Sequence, residues 1–249
     1  MTARGYEQRA ASYAAEISAV VPPRLLNGLL RSGMTVAEAP SGTGHFLRGY
    51  ASADAEVVLI DADAAMLAAA RPAVRGQRLR TVCCRIEDLD AAQTGRPVDL
   101  VVMPNAALNQ LATGPGLAAV LAGLVRILAP GGLLLAQILL VTDSRGCGFY
   151  DPNLSDGRWR VDRRIRGDDG RELTRMRRQD QRGGRVRIDF ALTRGGESVY
   201  DHQVELRLLT AAAVENAATA AGLSATHRLD GDAEHLPEVL AVRPGRGAR

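Results

Sequence analysis

Two glycines spaced two apart, with one acid ahead of them and another well behind, are the residues of this chain best suited to chemistry. The run reads Val36-Ala37-Glu38-Ala39-Pro40-Ser41-Gly42-Thr43-Gly44-His45-Phe46, and Asp61 follows 17 residues after Gly44. Glycine at 42 and 44 lets the backbone turn tightly and pass close to a ligand. Asp61, ending an apolar run, is placed to accept both hydroxyls of a ribose. A dinucleotide would call for a third small residue at 47 and a phosphate-compatible turn, but Leu47 stands there and Glu38 brings negative charge to the approach. The pattern instead suits a nucleoside ligand with a cationic end and no phosphate. Ala62 follows the ribose acid directly. Met66 either lies against an adenine face or is a buried helix residue, and Asp63 reads as a helix N-cap.

A second group of side chains suits proton transfer. His202, Asp201, His45 and Tyr13 are candidate bases, with His202 the first choice, and Asn105 is placed to hold a substrate or to start a helix. Met103, at the end of the strand before Asn105, falls beside the same exit.

Elements must position these groups. Strands are expected at residues 35–39, 57–60, 79–83, 98–103 and 133–140, and helices at 46–51, 64–71 and 117–128, the last ended by Pro130-Gly131-Gly132. Strand–helix alternation predicts a parallel sheet covered on both faces. Two short helices precede it, over residues 6–19 and 25–30, split by Pro22-Pro23. After residue 141 the texture becomes period-two patches at 159–165, 173–178, 186–192 and 199–209, with glycine turns at Gly170, Gly183-Gly184 and Gly195-Gly196. That is an antiparallel insert. Thr210 caps a helix over 211–221, strands at 224–229 and 238–242 follow, and residues 244–249 read as frayed.

The cofactor residues resemble those of class I methyltransferases that use S-adenosylmethionine, whose first motif ends a strand with an acid, runs through G-x-G, and is followed by an acid on the second strand. The resemblance implies an α/β fold, a Rossmann-like, doubly wound, mostly parallel seven-stranded sheet with the antiparallel β insert. It places Glu38, Pro40, Gly42 and Gly44 around the methionine moiety, Asp61 and Ala62 on the ribose, and Met66 and backbone at Ile86 by the adenine. Pro40 stands where the family usually has glycine, and Arg85 where an adenine-binding Asp is common. The exit of strand four lacks the Asn/Asp-Pro-Pro-aromatic motif of DNA amino-methylating enzymes and the cysteine of cytosine C5 enzymes. With Tyr6, Tyr13, the insert and residues 200–206, the chain is similar to bacterial small-molecule enzymes, the amino-sugar N,N-dimethyltransferases and their glycine N-methyltransferase relatives. Gln110 and residues 139–142 depart from the sugar enzymes, which carry aromatics or histidine there. The implied organisation is one domain, 1–249, with a helical lid at 1–32 and the insert at 144–209 as substrate lid or dimer sheet. The implied activity is methyl transfer to a small molecule of natural-product biosynthesis, N over O, leaving S-adenosylhomocysteine. A methyltransferase-like cyclase would share the same nucleoside site.

Composition narrows the partners. The 31 basic residues are all arginine, against 28 acids, so a net charge of +3 gives little pull toward nucleic acid despite a pI near 9.0. Arginine is dense from 158 to 194, interleaved with acids. A solvated, ion-paired face is one reading, a clamp for an anionic or nucleotide-linked acceptor another, a homodimer sheet a third, and an RNA-binding surface the alternative. Three cysteines, two adjacent, give neither a disulfide framework nor a metal spacing. No run of about 18 apolar residues occurs, so a cytoplasmic protein with no membrane partner is expected.

Overall fold

The computed structural model describes residues 10, 13, 16, 17, 20–141, 151, 154–166, 170–232 and 234–245. Tyr6, Asp168, Asp169, and the expectations for residues 142–150 and 246–249 lie outside them. After α1 (Leu26–Leu29) the order is β1 (Thr35–Glu38), α2 (Leu47–Ser52), β2 (Glu56–Asp61), α3 (Ala64–Ala69), β3 (Leu79–Cys83), β4 (Val98–Met103), α4 (Ala107–Leu111), α5 (Leu117–Ile127) and β5 (Leu128–Gln137). The insert follows as β6 (Arg160–Arg166), β7 (Glu172–Arg182), β8 (Arg185–Arg194) and β9 (Glu197–Arg207), and the chain closes with α6 (Ala211–Ala220), β10 (Ser224–Leu229) and β11 (Glu238–Val242).

Seven strands form one sheet in the order β3-β2-β1-β4-β5-β11-β10. The first five are parallel, and β11 enters antiparallel beside β5. The strand order reverses between β1 and β4, and at such a point the loops on either side diverge and leave a crevice beyond the strand ends. Near-continuous apolar runs build these strands because both faces are covered. Ala37, Val58, Ile60, Val101 and Met103 pack under α5 and α6, while Val36, Val57, Leu59, Leu100 and Val102 pack under Leu26, Phe46 and Tyr50.

The Pro130-Gly131-Gly132 run proves to lie within β5 rather than between helix and strand. Gly131 N–H donates to the Arg243 carbonyl at 2.8 Å and Arg243 N–H to the Gly132 carbonyl at 2.9 Å, so tertiary pairing with the chain end holds an otherwise turn-forming run extended. Helix α4, whose start is one reading of Asn105, begins two residues later at Ala107, and its five residues carry too little periodicity to mark its extent.

The four insert strands form a second, antiparallel sheet in the order β6-β7-β8-β9. Its inner face, with Val186, Ile188, Phe190, Val204 and Leu206, packs against Ala106, Leu139 and Leu236. Buried Asn109 fastens this junction. Its amide donates to the carbonyls of Leu139 and Arg207, both at 2.8 Å, and its oxygen accepts from Leu139 N–H at 2.9 Å. The insert's inner face is thereby held over the exits of β4 and β5.

Candidate active site

The turn after β1 is organised by Glu38. Its side chain is wholly buried, and its carboxylate accepts from His45 N–H at 2.6 Å, His45 Nδ1 at 2.9 Å, Phe46 N–H at 3.2 Å and the Tyr50 hydroxyl at 2.9 Å. Burial, together with the charge and hydrogen bond of Glu38, pushes the Tyr50 hydroxyl well above its usual range, which keeps it a neutral donor. Glu38, expected from sequence around the methionine moiety, is buried beneath the cavity wall and ties the start of α2 to the end of β1. Gly44, expected beside the same moiety, is half-buried at this turn. It takes φ +93°, and a Cβ there would meet Leu47 Cδ1 at 2.7 Å, so its small size serves packing. Met103 points into the core among Val101 and Leu108, because alternation along β4 turns it away from the crevice.

The remaining predicted residues converge. Tyr13, Pro40, Gly42, Asp61, Ala62, Met66, Ile86, Asn105 and His202 line one cavity of about 370 Å³ at the carboxyl ends of β1, β2 and β4, roofed by the insert. Gly42 sits at φ +55° beneath Tyr13, whose Cε1 lies 2.3 Å from where a Cβ would stand, so only glycine fits there. Asp61 Oδ2 accepts from Gly42 N–H at 2.7 Å and Oδ1 from Asp63 N–H at 2.9 Å, leaving each oxygen a further lone pair. Burial raises its pKa, partly offset by those two N–H groups. Asp63 caps α3 by accepting from Ala65 and Met66 N–H, as read from sequence. Arg85, the departure from the family pattern, is engaged by Glu87, with Nε at 2.6 Å from Oε1.

Asn105 and Ala106 follow β4 with φ of +50° and +56°. Two successive non-glycine residues in this region are costly, of order 1–3 kcal/mol each, and persist where surroundings over-determine them. Here Asn105 N–H donates to Gln137 Oε1 at 2.9 Å, and Gln137 Nε2 donates to the Val21 carbonyl at 3.0 Å. Tyr13, Glu16 and Ile17, all helical, bring one face of the N-terminal segment to the cavity, as spacing of three and four residues requires. Tyr13 Oη lies 3.4 Å from His45 Nε2, while His45 Nδ1 faces Glu38.

His202 is buried, stacked on Phe190 with ring centroids 4.9 Å apart. Asp201 is exposed on the opposite face of β9, which removes it as a base at this site. Sequence reasoning missed Glu16, Gln137, Phe190 and the pairing of Arg163 with Arg175 at the cavity wall. The signal for Glu16 was its helical register with Tyr13. Nothing local marked Gln137.

Residues 36–132 match the family described as methyltransferase domain. The matched stretch runs from β1 into β5 and contains Gly42, Asp61 and Ile86. Over residues 36–132 the chain carries a methyltransferase domain. No curated protein matches the sequence. Solved structures share the fold across nearly the whole chain. The sugar N-methyltransferase KedS8 from a Streptoalloteichus species is 22% identical, with 96% of this chain and 91% of that chain covered at a TM-score of 0.65. DesVI of Streptomyces venezuelae is 23% identical over 98% and 94% at 0.62. CalS10, an amino pentose methyltransferase from Micromonospora echinaspora, is 23% identical over 97% and 93% at 0.60.

The methyltransferase site fits its donor on the residues present. Asp61 offers acceptor lone pairs inside the cavity, and Gly42 brings bare backbone to its wall beneath the Tyr13 ring. Among the described residues no three His, Cys, Asp or Glu side chains gather as a metal site, and no helix is long and apolar enough to cross a membrane.

Proposed function

We propose that this methyltransferase transfers a methyl group to the nitrogen of a small molecule in natural-product biosynthesis. The observation that carries the reading is the continuity of one cavity, in which a nucleoside half built on Gly42, Asp61, Met66 and Ile86 opens into a half lined by Asn105, Phe190, His202, Val204 and Leu206. An acceptor space walled by side chains on every named element suits a molecule small enough to be enclosed, rather than a polymer. KedS8 is a sugar N-methyltransferase and CalS10 an amino pentose methyltransferase, and a Burkholderia thailandensis neighbour, 16% identical over 97% of this chain and 84% of that chain at a TM-score of 0.50, is a 1,6-didemethyltoxoflavin-N1-methyltransferase. Those neighbours support nitrogen as the acceptor atom.

When bound, S-adenosylmethionine supplies an electrophilic methyl on sulfonium sulfur. Asp61 would hold the ribose hydroxyls, Ile86 backbone and Met66 the adenine, and Gly42 the methionine end beneath Tyr13. The chain's own work is enclosure and alignment, worth about 7–11 kcal/mol when the reactants are well oriented. Proton loss from the acceptor has two candidate routes. His202 lines the acceptor half directly. Tyr13 lines it also, and its hydroxyl can pass a proton to His45 Nε2 while Glu38 steadies the imidazolium through Nδ1. Tyr13, Glu16 and Ile17 would close over the donor, as the lid expected over residues 1–32 requires.

The RNA-binding alternative draws no support from the outer face of the insert, where Arg164, Arg178, Arg182, Arg185 and Arg187 pair with Glu172, Asp189, Asp180, Glu205 and Asp189. The test is twofold. Titration calorimetry should show saturable binding of S-adenosylmethionine and S-adenosylhomocysteine. A panel of amino sugars and small amines, followed by mass spectrometry, should show gain of a methyl; transfer to hydroxyls alone would overturn the nitrogen reading.

A further inference from the structure

The N-terminal segment meets the insert at Glu16. This side chain is buried, and both of its carboxylate oxygens are engaged by insert strands. Oε1 accepts from the Tyr200 hydroxyl, on β9, and Oε2 accepts from Nη1 of Arg175, on β7, at 3.2 Å. The Glu16 backbone carbonyl accepts from Nη1 of Arg163, on β6, also at 3.2 Å. A bulge between Val161 and Arg163 sets Arg163 opposite Arg175, so that both reach the same point. Three of the four insert strands thus converge on one residue that lies 147 to 184 positions away in sequence.

The cluster is balanced in charge. Asp162 lies 2.6 Å from Arg175 Nε and 3.5 Å from Arg163 Nε, and Asp162 and Asp151 both act on Arg177. Arg163, Arg175 and Arg177 therefore face three carboxylates, and Glu16 is the one supplied from outside the insert. Taking one partner from a buried ion pair leaves an uncompensated charge, which is strongly unfavourable. Lifting Glu16 away sacrifices that pairing and the Tyr200 hydrogen bond together.

What Glu16 holds is the site. Tyr13, three residues earlier and on the same helical face, stands over Gly42 with its hydroxyl 3.4 Å from His45 Nε2. On the other side, Arg175 lies over the Phe190 ring, 4.7 Å from its centroid, and the Tyr200 ring is 5.6 Å from that of His202. Phe190 and His202 wall the acceptor half. One carboxylate therefore stands between Tyr13 at the donor and the two side chains that back the acceptor wall. Further along, the segment is docked on the sheet, where Gln137 donates to the Val21 carbonyl and buried Glu238 accepts from Arg24 and Leu25 N–H.

We propose that Glu16 is a positioning residue, a clasp between the N-terminal segment and the insert that fixes Tyr13 over the donor and must open for the donor to leave. The identity of what it encloses rests on the methyltransferase reading; the clasp itself does not.

The experiment follows S-adenosylhomocysteine binding to the immobilised full chain by surface plasmon resonance, which separates association from dissociation. Glu16→Gln should speed dissociation about tenfold, the size of one hydrogen bond to a charged group, with association little changed. Glu16→Asp, which keeps the charge, should fall between the two. Tyr200→Phe removes a hydroxyl that stands behind His202 rather than in the cavity wall, and should also speed dissociation. Combined with Glu16→Gln it should add little, as expected of two groups in one contact. Arg182→Gln, on the exposed outer face, should match wild type. If Glu16→Gln and Tyr200→Phe lower the melting temperature while both rates stay at wild-type values, Glu16 is a strut of the fold and the clasp is overturned. Should Glu16→Gln not fold, Tyr200→Phe decides on the same terms. Failure of wild type to bind S-adenosylhomocysteine overturns the donor reading instead. Hydrogen exchange at the Glu16 and Ile17 amides of the free chain then decides the clasp: faster exchange in Tyr200→Phe supports it, and unchanged exchange overturns it.

Discussion

Asp61 is asked to do two opposed things. Burial raises its pKa, so the folded chain holds this proton more tightly than the unfolded chain, and ionising it costs folding free energy. On this account stability is highest when the group is protonated in both states, falls as pH rises toward the folded-state value, and stays lower beyond it. Asp61→Ala removes that decrement, so its melting temperature relative to wild type should rise between acid and neutral pH, which thermal melts across that range would show. A flat difference would contradict the burial cost. The same substitution should weaken S-adenosylhomocysteine by about 1.5–3 kcal/mol, roughly tenfold or more, for a lost hydrogen-bond acceptor of full charge, checked by calorimetry. His202 and His45 separate by their effects on proton transfer. If His202 takes the proton, His202→Ala lowers turnover by about a hundredfold or more with donor affinity kept, while His45→Gln leaves the pH profile in place. The reverse pattern would assign the route to Tyr13, His45 and Glu38.

At the scale of elements, two contacts carry the site's geometry. In α5, a Cβ at Gly123 would meet the Ile86 carbonyl oxygen at 1.9 Å, so the helix can lie against the turn at Ile86–Asp88 only because that position is glycine. Gly123→Ala should displace the turn, destabilise the fold by about 1–3 kcal/mol as overpacking does, and weaken donor binding through Ile86. Denaturant unfolding and calorimetry report the two effects, and loss of stability with intact affinity would detach Ile86 from the adenine. Asn109 is the second contact. Asn109→Ala removes its bonds to the Leu139 and Arg207 carbonyls and strands the buried Leu139 N–H, at about 1–3 kcal/mol for the donor left unsatisfied, and should loosen the insert from α4. Hydrogen exchange in β9 would rise if the junction is as the structure has it.

The whole molecule closes a nucleoside crevice with parts distant in sequence: the N-terminal segment, the insert and the β11 edge. A donor that bridges these parts should stabilise them together. At about 100 times its dissociation constant, S-adenosylhomocysteine should add about 2.7 kcal/mol, or roughly 5–10 °C of melting temperature for a chain this long, visible in a scanning-fluorimetry titration. The fold was legible in the sequence because its signals are local and repeated. Apolar runs, glycine turns and caps at Asp63 and Thr210 each act within a few residues, and β3, β4, β10 and β11 fall where those signals put them. The ribose acid and Gly42 were legible for the same reason. What the sequence alone determined, then, is an alternating α/β chain with a nucleoside turn and an antiparallel insert. Tertiary structure decided which side chains the turn spends on itself and which it offers. Glu38 went inward because four donors surround it, Gly44 stayed side-chain-free against Leu47, Pro130-Gly131-Gly132 became strand because Arg243 pairs with it, and Arg163 came to face Arg175 through a bulge no pattern of residue types announces. Each of these depends on partners far along the chain, and such contacts leave no period in the sequence.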